Sequence, residues 1–210
     1  MRENFLCIAK MTLMRKLFLT GIFISISIMA LAQGRFGLKA GVNYFILSSD
    51  NSKTANYESG QVGYIFGGSY ELTVSQRISI QPEVNISNQR ATEDYYGTDI
   101  HLNYIQVPLL IKYNIKNAKV AIYTGPQLGF LNNADYTKPD GTAGSSSDFI
   151  QTDFGVTLGV GHVPINPGIT FDVRVYQGLS NVIKSEYTGG IKTRPFLLVA
   201  TIGYIWGNRK

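Results

Sequence analysis

The feature that most constrains the fold is a strict alternation of side chains in residues 102–131, LNYIQVPLLIKYNIKNAKVAIYTGPQLGFL. In its first half every second residue from Ile105 to Tyr113 is apolar or aromatic, whereas the positions between them include Gln106 and Lys112. The second half repeats the pattern after a short polar turn. Side chains of a β-strand alternate between its two faces. The stretch therefore predicts two adjacent strands, each with one apolar and one polar face.

Segments of the same kind fill the rest of the chain after its N-terminal region, eight in all. They predict an all-β fold, an eight-stranded antiparallel up-and-down transmembrane β-barrel. Membrane barrels have strands of about ten residues, long loops outside the cell and short turns on the periplasmic side. The connections in this chain alternate in the same way. The long ones are predicted at residues 47–59, 91–99, 132–148 and 180–192, and the short ones at residues 73–76, 114–117 and 164–167.

The direction of each face follows from the distribution of charge. A soluble barrel such as a lipocalin points its apolar face inward, whereas a membrane barrel points it towards lipid. Here the apolar face carries essentially no charge and has aromatic residues near the strand ends, as lipid-facing surfaces do. We therefore expect the apolar face outside and the polar face inside, where side chains fill an eight-stranded barrel. The charged residues expected inside are Lys39, Glu71, Glu83, Lys112, Lys119, Asp153, Asp172 and Arg174. The aromatic residues expected in two girdles are Tyr44, Phe130, Phe154 and Phe196 near the long loops and Tyr70, Tyr113, Tyr204 and Trp206 near the short turns.

Three of the interior charges form the best-defined candidate site. Asp172 and Arg174 are two residues apart on one face, and Glu83 lies in the middle of an earlier strand. Charges in a dry interior are costly unless they are paired. The three residues are interpreted as a packing and register network, or alternatively as the gate of a narrow conducting path.

The N-terminus has the features of a secretory signal peptide. A basic stretch, Met14-Arg15-Lys16, is followed by an uncharged apolar run and by the sequence Ala30-Leu31-Ala32. This combination is typical of a cleaved leader, and the apolar run is short for a transmembrane helix.

The predicted organisation is a signal peptide over residues 1–32, with its true start at Met11 or Met14, and a barrel domain over residues 33–210. The leader holds four of the 19 basic residues and one of the 14 acidic residues, which leaves the barrel domain a net charge of +2. That charge does not favour a nucleic-acid partner. The only cysteine, Cys7, is also in the leader, so we expect barrel closure rather than disulfides to stabilise the fold.

The sequence contains little that could support catalysis. His101 and His162 are the only histidines, and they are expected at opposite rims of the barrel. There is no thiolate or histidine pair for a metal and no G-x-S-x-G nucleophile motif. We therefore predict no enzyme activity and no cofactor. Acidic residues near the outer rim are interpreted as solubilising groups, or as weak sites for divalent cations and lipopolysaccharide: Asp94, Asp99, Asp135, Asp140 and Asp148.

Segments from nearly the whole barrel domain resemble the PorT-like outer-membrane β-barrel family of Bacteroidota-type bacteria: FGLKAGVNY, IQPEVNIS, LNYIQVPLLIKY, GPQLGFL, DFGVTLGVGH, RVYQGLSN and the closing GYIW. The resemblance implies an OmpX/OmpA-like barrel in the outer membrane of a Gram-negative cell. It brings no catalytic motif and implies no uniform activity: one member of the family is linked to type IX secretion and gliding machinery, but most have no assigned role.

The sequence thus predicts a non-enzymatic structural or interaction protein of the cell outer membrane with a packed polar interior. It would act through its extracellular loops, above all residues 132–148. The alternatives are a narrow porin-like pore, a component of a secretion or gliding machinery, and a soluble lipocalin-like lipid carrier. Expected partners are outer-membrane lipid and lipopolysaccharide, the barrel insertion machinery and an unidentified protein at the loops, but not nucleic acid.

Overall fold

The computed structural model describes residues 34–49, 58–93, 98–115, 118–137, 143–145, 149–182 and 193–207. The predicted signal peptide over residues 1–32 lies outside this part of the chain. The described residues form β1 (Arg35–Ser49), β2 (Glu58–Thr73), β3 (Ile78–Glu93), β4 (Thr98–Asn114), β5 (Val120–Thr137), β6 (Ala143–Ser145), β7 (Thr152–His162), β8 (Gly168–Gly178) and β9 (Thr193–Trp206).

Eight of these strands form a closed antiparallel barrel. Each one pairs with the next along the chain, β4 pairs with β5, and β1 pairs with both β2 and β9. The short β6 lies outside this ring and pairs with the outer end of β5, where Asp135 is opposite Ser145. The predicted all-β, eight-stranded up-and-down barrel is confirmed.

The predicted direction of the two faces is also confirmed along most of the wall. In β7 the side chains of Phe154 and Leu158 are exposed on the outside, and those of Asp153 and Thr157 are buried inside. The same alternation runs through the other strands, so that the barrel has an outer surface of aliphatic and aromatic side chains around a polar centre. Apart from the strands, the described residues contain no helix that is long and apolar enough to cross a membrane.

The aromatic residues assigned to the girdles all lie on the outer face. Seven are within five residues of a strand end, whereas Phe130 is in the middle of β5 because that strand continues to Thr137. Six of the girdle residues are exposed, and Tyr70 and Phe196 are half-buried. At the short-turn end Trp206 stacks on Phe36 with ring centroids 5.8 Å apart. Phe66 is exposed in the middle of β2, so aromatic side chains are not confined to the ends of the wall.

The strands extend further than the sequence pattern predicted on the long-loop side. The predicted loop over residues 132–148 was wrong in part, because β5 continues to Thr137 and pairs there with β6. The remainder of that loop, residues 138–142 and 146–148, lies outside the described residues. The extension was missed because its outward side chains, Asn133 and Asp135, are polar and resemble a loop, although Ala134 between them is fully buried.

Candidate functional site

Glu83 is the centre of the charged interior. Strand β3 points its side chain inward, and the carboxylate is 2% exposed. Arg174 from β8 reaches it across the lumen with two parallel hydrogen bonds, Nη1 to Oε2 at 2.6 Å and Nη2 to Oε1 at 3.0 Å. The ammonium of Lys39 donates to Oε2 at 2.5 Å. The amides of Gln81 and Asn85 donate to the same carboxylate at 2.5 and 3.2 Å. Glu83 is therefore held as a buried, multiply bonded anion.

Arg174 joins Glu83 to a second carboxylate, as the spacing of the three residues suggested. Its Nε donates to Oδ1 of Asp172 at 2.6 Å, and the hydroxyl of Thr201 donates to Oδ2 of Asp172 at 2.6 Å. The structure thus brings together Glu83, Asp172 and Arg174, whose contact the sequence alone could not establish.

A second carboxylate hub lies nearer the short turns. Glu71 is fully buried and forms ion pairs with Arg35 at 2.7 Å and with Lys112 at 3.1 Å. Lys112 also donates to Oε1 of Gln81 at 2.8 Å, which connects this hub to Glu83. Arg35 was not among the predicted interior residues. The signal was present, since Arg35 continues the inward positions of β1 that include Lys39.

An aromatic ring lies between two of the cations. The ring centroid of Tyr123 is 5.0 Å from the guanidinium carbon of Arg174 and 5.6 Å from the ammonium of Lys112. The ring occupies the space above Gly159, where an added Cβ would come within 2.5 Å of it. The face of an aromatic ring attracts cations, so Tyr123 helps to hold two like charges in one interior.

The remaining predicted interior charges are placed apart from this network. Asp153 lies inside but higher in the barrel, where the hydroxyls of Tyr176 and, at 2.7 Å, Ser180 donate to it. Lys119 was predicted inside, but it is exposed. The reason is that β5 begins only at Val120, so Lys119 belongs to the turn and does not follow the alternation of the strand.

The prediction of a polar interior was wrong for the long-loop end. Apolar side chains of several strands meet there and are almost completely buried, and the connections on either side of β7 and β8 add Phe149 and Val182. The amide of Ile150 donates to the carbonyl of Val182 at 2.8 Å, which joins the segment before β7 to the segment after β8. We call this group the apolar cap: Phe45, Leu47, Ile65, Ala91, Ile100, Leu102, Tyr104, Ala134, Phe149, Tyr176, Val182, Leu197 and Val199.

Two small cavities are lined by described residues of the apolar cap and the charged network. A cavity of about 30 Å³ lies at the short-turn end, and one of about 10 Å³ lies between the network and the cap. The first has Lys39, Lys112 and Arg174 in its wall, and the second has Gln106, Gln127 and Tyr176. Each can hold only one or a few water-sized particles.

The outer face changes character at the level of the apolar cap. Ile86, Ile105 and Phe130 are the last exposed apolar side chains of β3, β4 and β5, and polar residues follow them on the same face. Several of these polar groups bond to each other: Nδ2 of Asn88 donates to Oδ1 of Asn103 at 2.9 Å, and Nε of Arg90 donates to Oδ1 of Asn88 at 2.9 Å. We call this group the outer polar patch; Asn88 in it is buried, and its other members are half-buried or exposed: Asn88, Arg90, Thr92, Asp99, His101, Asn103, Asn133 and Asp135.

In the outer polar patch, three neighbouring strands place a basic residue, a histidine and an acidic residue side by side. Strand register places Arg90 opposite His101, and His101 opposite Asp135. His162 lies at the other end of the barrel, opposite Val120. No group of three or more metal-ligating side chains that could hold an ion is found among the residues described. The arrangement is suited to binding polar groups outside the barrel.

Comparisons with known proteins agree with this architecture. A model of the family described as "Outer membrane protein beta-barrel domain" matches residues 31–184. Neisserial surface protein A has a similar structure, with a TM-score of 0.52 and 16% identity over 80% of this chain and 95% of that one. Ail, the attachment invasion locus protein of Yersinia pestis, gives a TM-score of 0.53 and 16% identity over 83% of this chain and 99% of that one. No match was found among curated proteins.

The two structural likenesses show a shared fold, and the family match covers most of the chain, including strands β1 to β8. The closed barrel, its apolar outer face and this match lead to one conclusion. The chain belongs to the outer membrane protein β-barrel domain family and is a protein of the cell outer membrane.

Proposed function

We propose that this protein is a non-conducting, non-enzymatic structural barrel embedded in the outer membrane. Its outer polar patch would bind the lipopolysaccharide of the outer leaflet. The observation that carries the proposal is the change from apolar to polar side chains on one continuous outer face, between Phe130 and Asn133 of β5 and at the same level of β3 and β4.

The position of the patch supports this partner. Asn103, His101 and Asp99 follow one another outward along β4, directly beyond the lipid-facing Ile105. Side chains at this level face sideways, towards the layer of phosphates and sugars next to the hydrocarbon. Arg90 and His101 can donate to phosphate, and the asparagine amides can bond to sugar hydroxyls. Asp99 and Asp135 can share a divalent cation with a phosphate.

The filled interior supports a non-conducting barrel over the narrow pore. The charged network and the apolar cap fill the lumen with buried side chains, and two cavities lined by described residues have volumes of about 30 and 10 Å³. The assignment to the PorT-like family, and with it a role in a secretion or gliding machinery, rests on the resemblance of sequence segments. A protein partner at the outer loops and recognition by the barrel insertion machinery also remain predictions.

One structural relative gives a useful probe. Ail of Yersinia pestis has been crystallised in complex with the heparin analogue sucrose octasulfate, and that structure gives a TM-score of 0.51 with this chain. A sulfated sugar resembles the phosphorylated sugars of lipopolysaccharide in charge and in hydrogen-bonding groups. It therefore serves as a soluble competitor in a test of the patch.

The test measures binding of purified lipopolysaccharide to the folded barrel in detergent, with and without sucrose octasulfate. We expect the double variant Arg90→Ala, His101→Ala to bind lipopolysaccharide at least about tenfold more weakly, because two charge-assisted contacts are each worth roughly 1 kcal/mol or more. Arg77→Ala is the matched control, since Arg77 is exposed at the opposite end of the barrel. Equal affinity of the double variant and the wild type would contradict the proposal.

A further inference from the structure

The cavity at the short-turn end has a wall of unusual charge. Its described lining contains three cationic side chains, Lys39, Lys112 and Arg174, and a single carboxylate, that of Asp172. All three cations are at least nine-tenths buried, with exposed fractions of 5–6%. Buried charge of one sign is costly unless an opposite charge or a polar partner compensates it.

The ammonium groups of Lys39 and Lys112 have more N–H donors than described acceptors. Each ammonium carries three N–H donors. Among the described residues Lys39 donates only to Glu83, and Lys112 donates to Glu71 and Gln81. Glu83 is itself shared between Lys39 and Arg174, so that one carboxylate serves two cations. Each lysine therefore has at least one N–H that an acceptor in the cavity could bind.

The neighbouring wall is suited to a small anion. Ser69 and Thr170 contribute hydroxyl groups to the lining, and the ring of Tyr123 lies on the cation side. The volume of about 30 Å³ fits one or two particles of the size of water, and a halide ion is of that size. The cavity is next to His162 and Val163 at the start of a short turn, so it lies nearer to the periplasmic end of the barrel.

We propose that this cavity is a binding site for a small monovalent anion of the halide class, held by the ammonium groups of Lys39 and Lys112. The anion completes the bonding of the two lysines and balances the cationic wall. It thus stabilises the charged network from the periplasmic end, and it has no part in the contacts of the outer polar patch.

The test uses the full folded barrel in detergent micelles. Unfolding midpoints are measured by intrinsic fluorescence in increasing sodium chloride or sodium bromide, with sodium gluconate replacing the halide at constant ionic strength. A ligand that binds only the folded state raises its stability with concentration according to its affinity. We expect a saturable upward shift of the midpoint with either halide, and no such shift with gluconate, whose anion is too large for the cavity.

Lys39→Met should remove the halide-dependent shift, whereas Lys119→Met should retain it, because Lys119 is exposed at the same end of the barrel. If Lys39→Met does not fold, Lys112→Met replaces it, and a bromide-soaked crystal of the wild type provides an independent readout. An anomalous peak in the cavity supports the site. Equal midpoints in halide and gluconate, or a cavity without bromide, would show that water fills it and would overturn the proposal.

Discussion

At the scale of single residues, the charged network connects strands that are not neighbours in the wall. Glu83 of β3 is bound by Lys39 of β1 and by Arg174 of β8, and Glu71 of β2 is bound by Lys112 of β4. A slip of one residue in any of these strands would turn its charges towards lipid. The network therefore specifies the register of the barrel as well as filling it.

Arg174 is the residue on which the network depends most, because among the described residues it alone bonds to both Glu83 and Asp172. We expect Arg174→Leu to reduce the free energy of unfolding by about 3–5 kcal/mol, since it leaves the buried carboxylate of Glu83 and the partly buried one of Asp172 without their shared cation. Urea unfolding of the folded barrel in detergent measures the change.

The control for that variant is Arg77→Leu, which removes an exposed arginine from a short turn and should change the free energy of unfolding by less than about 0.5 kcal/mol. If Arg174→Leu resisted heat and urea as well as the wild type does, the network would not be a stabilising feature. In that case the pairing of the strands in the barrel wall alone would set their register.

The sequence identified most charged members of this network, with the exception of Arg35, but not its contacts. Alternation placed Lys39, Glu83 and Arg174 on one face of their strands, which is sufficient to predict an inward direction. Which of them meet across the lumen depends on the stagger and tilt with which the barrel closes. Those quantities are set by all eight strands together, so no local pattern contains them.

At the scale of elements, the strands change their inside and outside preferences along their length. In β4 the lower part has Lys112 and Gln106 inside and Ile111 outside, whereas the upper part has Leu102 inside and His101 outside. The lower part follows the rule for a membrane barrel and the upper part the rule for a soluble one. The membrane rule predicts a polar interior at every level, so it is wrong for the upper parts, and residues 132–137 of β5 were mistaken for a loop.

The apolar cap should accordingly stabilise the barrel as an ordinary protein core does. Leu102 is fully buried in it, so Leu102→Ala should lower the free energy of unfolding by about 2–5 kcal/mol through lost burial and a residual cavity. Leu109 on the same strand is 47% exposed on the outer face and provides the matched variant.

Leu109→Ala should have a clearly smaller effect than Leu102→Ala in the same urea titration, because detergent or lipid can replace the lost contacts on the outer face. A Leu102→Ala variant no less stable than Leu109→Ala would show that the upper parts of the strands contribute little to folding. The cap would then be a cover without a structural role.

At the scale of the whole molecule, two different fillings close the lumen one after the other. The charged network occupies the part near the short turns, and the apolar cap occupies the part near the long connections. The small cavity between them is lined by groups of both kinds, including Arg174, Gln127 and Leu197. An ion crossing the barrel would have to pass both, so the two barriers act in series.

This arrangement predicts the outcome of conductance measurements in planar lipid bilayers. The wild type should give no steady single-channel steps. The network variant Glu83→Ala, Arg174→Ala should also remain closed, because an apolar constriction excludes ions by excluding water. The cap variant Phe149→Ala, Leu197→Ala should remain closed as well, because the paired charges still occupy the lumen below it.

Only the combination of all four substitutions should conduct, provided that the gel mobility of each variant shifts on boiling, as that of a folded barrel does. Steady conductance of the unaltered protein would instead identify it as a narrow pore, and conductance of one double variant alone would show that the other filling does not seal the barrel.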